Sequence, residues 1–130
     1  MIFGVGVDIT EVARVKRAIK NSSSFQKKVF SSREIAKCTE SNIGSQCFAA
    51  RFAGKEAFMK AVGTGWAEGL KWTEIEILND DKGKPILHLS GESQKMIETL
   101  KVIRMSVSLT HVKEYAMAVV ILEVPEITSS

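Results

Sequence analysis

Residues 51–65 read RFAGKEAFMKAVGTG, the pattern of an amphipathic helix running into a glycine-rich end. Apolar Phe52, Phe58 and Met59 are interleaved with Lys55, Glu56 and Lys60. At roughly 100° per residue, Ala49, Phe52, Ala53, Glu56, Lys60 and Gly63 fall on one side of the helix. Glu56 therefore follows packing residues and precedes a lysine. It reads either as half of an i,i+4 Glu–Lys surface pair, worth about 0.2 to 0.5 kcal/mol, or as a carboxylate beside the packing side that needs a cation. Gly63-Thr64-Gly65 reads as a glycine C-cap, or as a backbone left open for close approach by a ligand.

The pattern changes on either side of this helix. Residues 2–7, IFGVGV, are short, apolar and β-branched, so they predict a buried strand ending at Asp8. Thr10 then opens a helical pattern with Val12, Val15 and Ile19 on one side, broken at Asn21 to Ser24. Ser31 and Glu34 have capping-box spacing ahead of a short helix. Ser41 to Ser45 reads as a loop. Beyond Gly65, residues 72–79, WTEIEILN, alternate like a half-buried strand, turn through Asp80 to Pro85, and return as ILHL. Residues 92–101 are helical, and 102–109 with 115–123 form a second hairpin. Helices dominate the first half and strands the second. The expected class is α+β, an antiparallel sheet packed against a long central helix. One domain is expected over 1–124, with a tail at 125–130.

The chain has 130 residues, 45% hydrophobic and 25% charged, enough for one domain with a real core. No run approaches the roughly 18 apolar residues of a membrane span, and no secretory signal opens the sequence. A cytoplasmic protein without a membrane is the expectation. Cys38 and Cys47 are too few for a zinc site of their own and are expected as reduced thiols. The net charge is +3. The cations concentrate in residues 14–33, which hold Arg14, Lys16, Arg17, Lys20, Lys27, Lys28 and Arg33 with no acidic residue. Such a segment suits an acidic partner or an ordinary solvated face.

Two carboxylates stand out. Asp8 lies where strand meets helix; it suits an N-cap, with Glu11 at capping-box spacing, and equally a rigidly held ligand for a hard cation. Glu56 is the other. Mg²⁺ fits an all-oxygen site with one or two carboxylates, keeping waters and taking phosphate oxygens. Lys60, a turn beyond Glu56, could then neutralise phosphate charge or relay a proton. His111, at the start of the turn in SLTHVKEY, is either structural or a phosphate donor.

The chain resembles the short, single-domain 4′-phosphopantetheinyl transferases, the holo-[acyl-carrier-protein] synthases. The match rests on GVGVDITEVAR at 4–14, RFAGKEAFMKAVGTG at 51–65, GKP at 83–85 and SVSLTHVKEYAMA at 106–118. The resemblance implies transfer of the 4′-phosphopantetheine arm of coenzyme A to a serine of apo-acyl carrier protein, in fatty acid synthesis, releasing adenosine 3′,5′-bisphosphate. It implies that Asp8 and Glu56 bind Mg²⁺, and that Asp8, Glu56 and Lys60 are catalytic. The base is left open among Glu56, a metal-bound water and Lys60. Coenzyme A contacts are implied at Arg51, Lys60, Gly63, Gly65, Pro85, Ser108 and His111, with Arg51 suited to the 3′-phosphate. A carrier protein is expected to dock on Arg14, Arg17, Phe25 and Lys28. The resemblance also implies a homotrimer with active sites between subunits. Met59 stands where relatives often carry serine, a change expected to affect packing alone.

The alternative is a non-catalytic module that binds coenzyme A or acyl carrier protein through the same surface. A nucleic-acid binder is disfavoured, since no aromatic-basic stacking platform accompanies the charge.

Overall fold

The computed structural model describes residues 1–63, 65 and 69–127. Thr64 of the expected glycine-rich close and the last three residues of the expected tail lie outside the described residues. The chain runs β1 (Ile2–Glu11), α1 (Val12–Asn21), α2 (Phe25–Val29), α3 (Ser32–Glu40), α4 (Gly44–Val62), a 3₁₀ turn (Trp72–Glu74), β2 (Ile75–Asn79), β3 (Pro85–Leu89), α5 (Gly91–Thr99), β4 (Arg104–His111) and β5 (Tyr115–Glu123). A three-stranded antiparallel sheet in the order β1–β5–β4 accompanies a separate β2–β3 hairpin. Helix α4 packs across β1 and β5, so the expected antiparallel sheet against a long helix is what forms.

The first strand differs from expectation. It runs through Asp8 to Glu11, so Asp8 lies within the strand and makes no capping box with Glu11. Helix α1 starts at Val12, and Glu11 at its N-cap gives no side-chain cap. Nor is the strand buried on both faces. Val5, Val7 and Ile9 are 51 to 63% exposed, whereas Gly6 and Thr10 on the alternate face are buried. An unbroken apolar run cannot tell a strand with two protein-covered faces from one whose outer face is bare.

Helix α4 departs from the amphipathic reading. Most of its residues are buried, among them Ala49, Ala53, Ala57 and Phe58 with no exposure, and two core clusters flank it. One joins Phe58, Met59 and Val62 to Ile75, Ile77 and Val120. The other joins Phe48 and Ala49 to Val15, Val29 and Phe30. Met59 lies in the core and also borders the cleft that Glu56 lines. A helix wrapped on nearly every side must house its charges inside, and Lys55 shows how. Its ammonium donates to Glu34 Oε1 at 2.8 Å and to the carbonyls of Trp72 and Ile75, and both side chains of the ion pair are fully buried. Burial lowers the Lys55 pKa, with the Glu34 charge and hydrogen bond opposing it.

Glu34 is a joint between elements. The capping box forms as the spacing predicts, with Ser31 Oγ accepting from Glu34 N and Glu34 Oε1 accepting from Ser31 N at 2.9 Å. The other oxygen accepts from Ile77 N at 3.0 Å. One carboxylate thereby ties α3, α4 and β2 together. Residues 72–79 are therefore not a half-buried alternating strand. The first three form the 3₁₀ turn, and Ile75, Glu76 and Ile77 are all buried. Glu76 is held by Arg33 and by Ser31 Oγ. Burial pushes its pKa up, but the hydrogen bonds from Arg33 and Ser31 and the charges of Arg33 and His88 bring it below the ordinary value.

Cys38 and Cys47, expected as reduced thiols, are joined in a disulfide with Cα atoms 5.4 Å apart. The turn at 41–43 folds α3 back against the start of α4 and closes a gap that spacing alone does not show.

Candidate functional site

The position of Asp8 follows from two glycines. A Cβ at Gly4 would lie 2.0 Å from the Ala61 carbonyl oxygen, and one at Gly6 would lie 1.8 Å from that of Ala57. Only glycine lets β1 come so close to α4. The pair of contacts also shows that the strand runs antiparallel to the helix. Asp8, the next residue on that face, is carried toward the turn of α4 that holds Glu56 and Lys60. Lys60 Nζ lies 3.1 Å from Asp8 Oδ1 and 3.1 Å from the Val7 carbonyl oxygen. Thr10 Oγ1 donates to Asp8 Oδ2 at 2.8 Å. Glu56, half-buried, lines a cleft of about 270 Å³ with Met59, Lys60, Gly63 and Gly65.

Gly63 caps α4 with φ +90° and donates its N–H to the Met59 carbonyl at 3.0 Å. Nothing lies within 4 Å of a Cβ placed there, so conformation, not space, calls for glycine.

Among the described residues no group of three His, Cys, Asp or Glu side chains could hold a metal. The oxygen donors by the cleft are the Asp8 and Glu56 carboxylates, Asp8 already accepting from Lys60 and Thr10. Oxygen ligands in that number suit a hard cation that keeps its waters, and suit neither zinc nor copper. The ammonium of Lys60 adds positive charge at the mouth, where it is exposed enough to meet an anion.

A second cleft, of about 300 Å³, includes Lys37, Arg51, Asn79, Pro85 and His111 in its lining. Arg51 is 5% exposed. One guanidinium nitrogen donates to Asn79 Oδ1 at 2.5 Å, and another faces the Cys47 carbonyl oxygen and Sγ at 3.5 and 3.4 Å. Nε has no hydrogen-bond partner among the described residues. Burial lowers the Arg51 pKa, partly offset by the charge of Glu34, yet arginine stays protonated. The structure thus brings Arg51, Pro85 and His111 together, and Lys60, Gly63 and Gly65 with Glu56, but in two separate clefts. Arg51 and Glu56 are five residues apart on α4, about 7.5 Å along the axis and roughly 140° apart around it.

Ser108 joins neither cleft. Val107 and Leu109 face inward beside the core, whereas Ser108 is exposed on the other face of the sheet. There it pairs with Val119, which in turn pairs with Val7, on the face where Val5, Val7 and Ile9 are bare. The expected docking residues Arg14, Arg17 and Lys28 are exposed on α1 and α2. Phe25 is half-buried, its ring 6.4 Å from that of Phe30 and 6.5 Å from that of Phe52, so much of it is committed to packing. Two features escaped the sequence reading: the buried Lys55–Glu34 pair, and Asn79, an ordinary turn-flanking residue until Arg51 reaches it.

Residues 4–120 match the 4′-phosphopantetheinyl transferase superfamily. The chain belongs to that family. A holo-[acyl-carrier-protein] synthase of Clostridium tetani is 41% identical over 123 residues, covering 95% of this chain and 97% of its own. Among solved structures, the holo-[acyl-carrier-protein] synthase from Neisseria meningitidis superposes with a TM-score of 0.87 at 31% identity, covering 95% of this chain and 99% of that one. The holo-(acyl-carrier-protein) synthase from Bacillus anthracis, solved in complex with CoA (3′,5′-ADP), gives 0.78 at 35% identity over 96% of this chain and 99% of that one. The resemblance read from the motifs holds, and with it the fold and the class: this is a transferase of the phosphopantetheinyl family. No helix among the described residues is long and apolar enough to cross a membrane.

Proposed function

We propose that this chain transfers 4′-phosphopantetheine from coenzyme A to a serine of an apo-acyl carrier protein in fatty acid synthesis. The observation that carries the reading is the approach of β1 to α4, which sets Asp8 against Lys60 on the turn that also bears Glu56. The serine oxygen attacks the phosphorus that bears pantetheine, and the bond to the bridging oxygen breaks. Adenosine 3′,5′-bisphosphate leaves with that oxygen, and the serine proton passes to a base. Asp8 and Glu56 would hold Mg²⁺, which when bound offsets charge on the diphosphate. Lys60, hydrogen-bonded to Asp8, would donate to diphosphate oxygens once substrate enters. Glu56, half-buried beside the cleft, and Lys60 are the chain's own candidates for the base.

Arg51, with His111 and Pro85, is assigned to the nucleotide end of coenzyme A, its guanidinium fork facing the 3′-phosphate. The two clefts lie on different sides of α4, so one chain does not wrap the ligand. A homotrimer in which Arg51 of one subunit faces Asp8 and Glu56 of its neighbour would complete the site. The bare outer face of Val5, Val7 and Ile9 is the surface such an assembly would cover, and Ser108 on that face would then lie at the boundary. The exposed cations Arg14, Arg17 and Lys28 suit an acidic carrier.

The test is release of adenosine 3′,5′-bisphosphate, followed by chromatography with apo-carrier and coenzyme A. Release should need added Mg²⁺ and stop with chelator. Glu56→Gln, which keeps shape and loses charge, should slow release by at least about 100-fold with an unchanged melting curve. Native turnover in that variant would remove Glu56 from the site.

A further inference from the structure

Arg51 and Lys55 are both buried cations on α4, yet they are treated differently. Lys55 has a carboxylate at 2.8 Å. Arg51, among the described residues, has no ion-pair partner, and its contacts are the amide of Asn79 and the carbonyl and sulfur of Cys47. The Glu34 charge offsets only part of the cost of burial, and a buried charge with no counterion in contact is costly, so the position is suited to an anion brought by a ligand. Asn79 then becomes informative. A guanidinium only donates, so the amide oxygen must face it, and the amide nitrogen donates to the Gly83 carbonyl at 2.7 Å. Asn79 therefore clamps the guanidinium to the turn that leads into Pro85, which lines the same cleft. A neutral amide orients the guanidinium without neutralising it. An aspartate in its place would form a charge-assisted pair and occupy donors meant for phosphate.

We propose that Asn79 is a positioning residue that presents Arg51 to the 3′-phosphate of coenzyme A. Its amide, as opposed to a carboxylate, sets the preference for substrates carrying that phosphate. The inference rests on the assignment of Arg51 to the 3′-phosphate. The test compares kcat and KM for coenzyme A and 3′-dephospho-coenzyme A, at fixed apo-carrier, in native protein, Asn79→Asp, Asn79→Ala and Arg51→Ala. Both substrates meet the same folded fraction, so their ratio is insensitive to general loss of structure. Asn79→Asp should lower the preference for coenzyme A by about tenfold or more, as expected for losing one charge-assisted hydrogen bond, and chiefly through KM. Asn79→Ala should lower it less, and Arg51→Ala should abolish it. Asn79 variants that keep the native preference while Arg51→Ala loses it would overturn this inference alone. An Arg51→Ala protein that keeps the preference would overturn the Arg51 assignment and this inference together.

Discussion

Lys55 has no exposed side-chain surface, so its charge must be settled entirely by what it donates to. Removing it strands Glu34, a carboxylate with no exposure that also accepts from Ser31 N and Ile77 N. Lys55→Met should therefore cost about 3 to 5 kcal/mol in urea unfolding, the range for breaking one side of a buried pair. Adding Glu34→Gln should return part of that loss, since glutamine carries no charge, although its single amide oxygen can accept from only one of the Ser31 and Ile77 N–H groups. Strict additivity of the two changes would contradict the pairing. The sequence pattern singles out Glu56 beside the packing side and marks Lys55 only as one of three charges interleaved with apolar residues. Periodicity ranks sides of a helix, but it does not say that α3 and β2 will cover the lysine and leave the glutamate half-open.

At the scale of elements, the β1–α4 contact decides where Asp8 goes. Gly6→Ala would place a methyl 1.8 Å from the Ala57 carbonyl oxygen, and backbone cannot yield as a side chain can. We expect a loss of about 1 to 3 kcal/mol by thermal or urea unfolding, and a larger fall in turnover than in stability, because Asp8 moves with the strand. Unchanged turnover would show that the close approach is not what sets the site. Much of this level was legible. The long helix, its glycine end, the Ser31–Glu34 box and both hairpins were read from local pattern and chemistry. The extension of β1 through Asp8 was not, because Asp8 and Glu11 disfavour a strand reading and only pairing with β5 overrides them. The Cys38–Cys47 bond was likewise hidden, since it depends on how two helices fold together.

At the scale of the molecule, one face of the sheet is bare, the two clefts lie on different sides of one helix, and α1 and α2 carry exposed cations. The proposed trimer would cover the bare face and join the two clefts, and the proposed carrier would meet the cations. Light scattering should give the mass of a trimer, and a monomer with full activity would contradict the shared site. The encounter with carrier protein should weaken with salt. Raising ionic strength from about 0.05 to 0.5 M, which shortens screening from beyond 10 Å to below 5 Å, should raise KM for the carrier several-fold with a smaller change in kcat. A salt-independent KM would remove Arg14, Arg17 and Lys28 from docking. Assembly and docking entered the sequence reading through family resemblance, because a single chain's periodicity carries no record of its neighbours.

The most direct test of the whole account is the intact mass of an apo-acyl carrier protein after incubation with this protein, coenzyme A and Mg²⁺. The account predicts a gain of one phosphopantetheine on the carrier's serine with native protein, and none with Glu56→Gln. A carrier left unmodified by the native protein, across carriers of fatty acid synthesis, would contradict it.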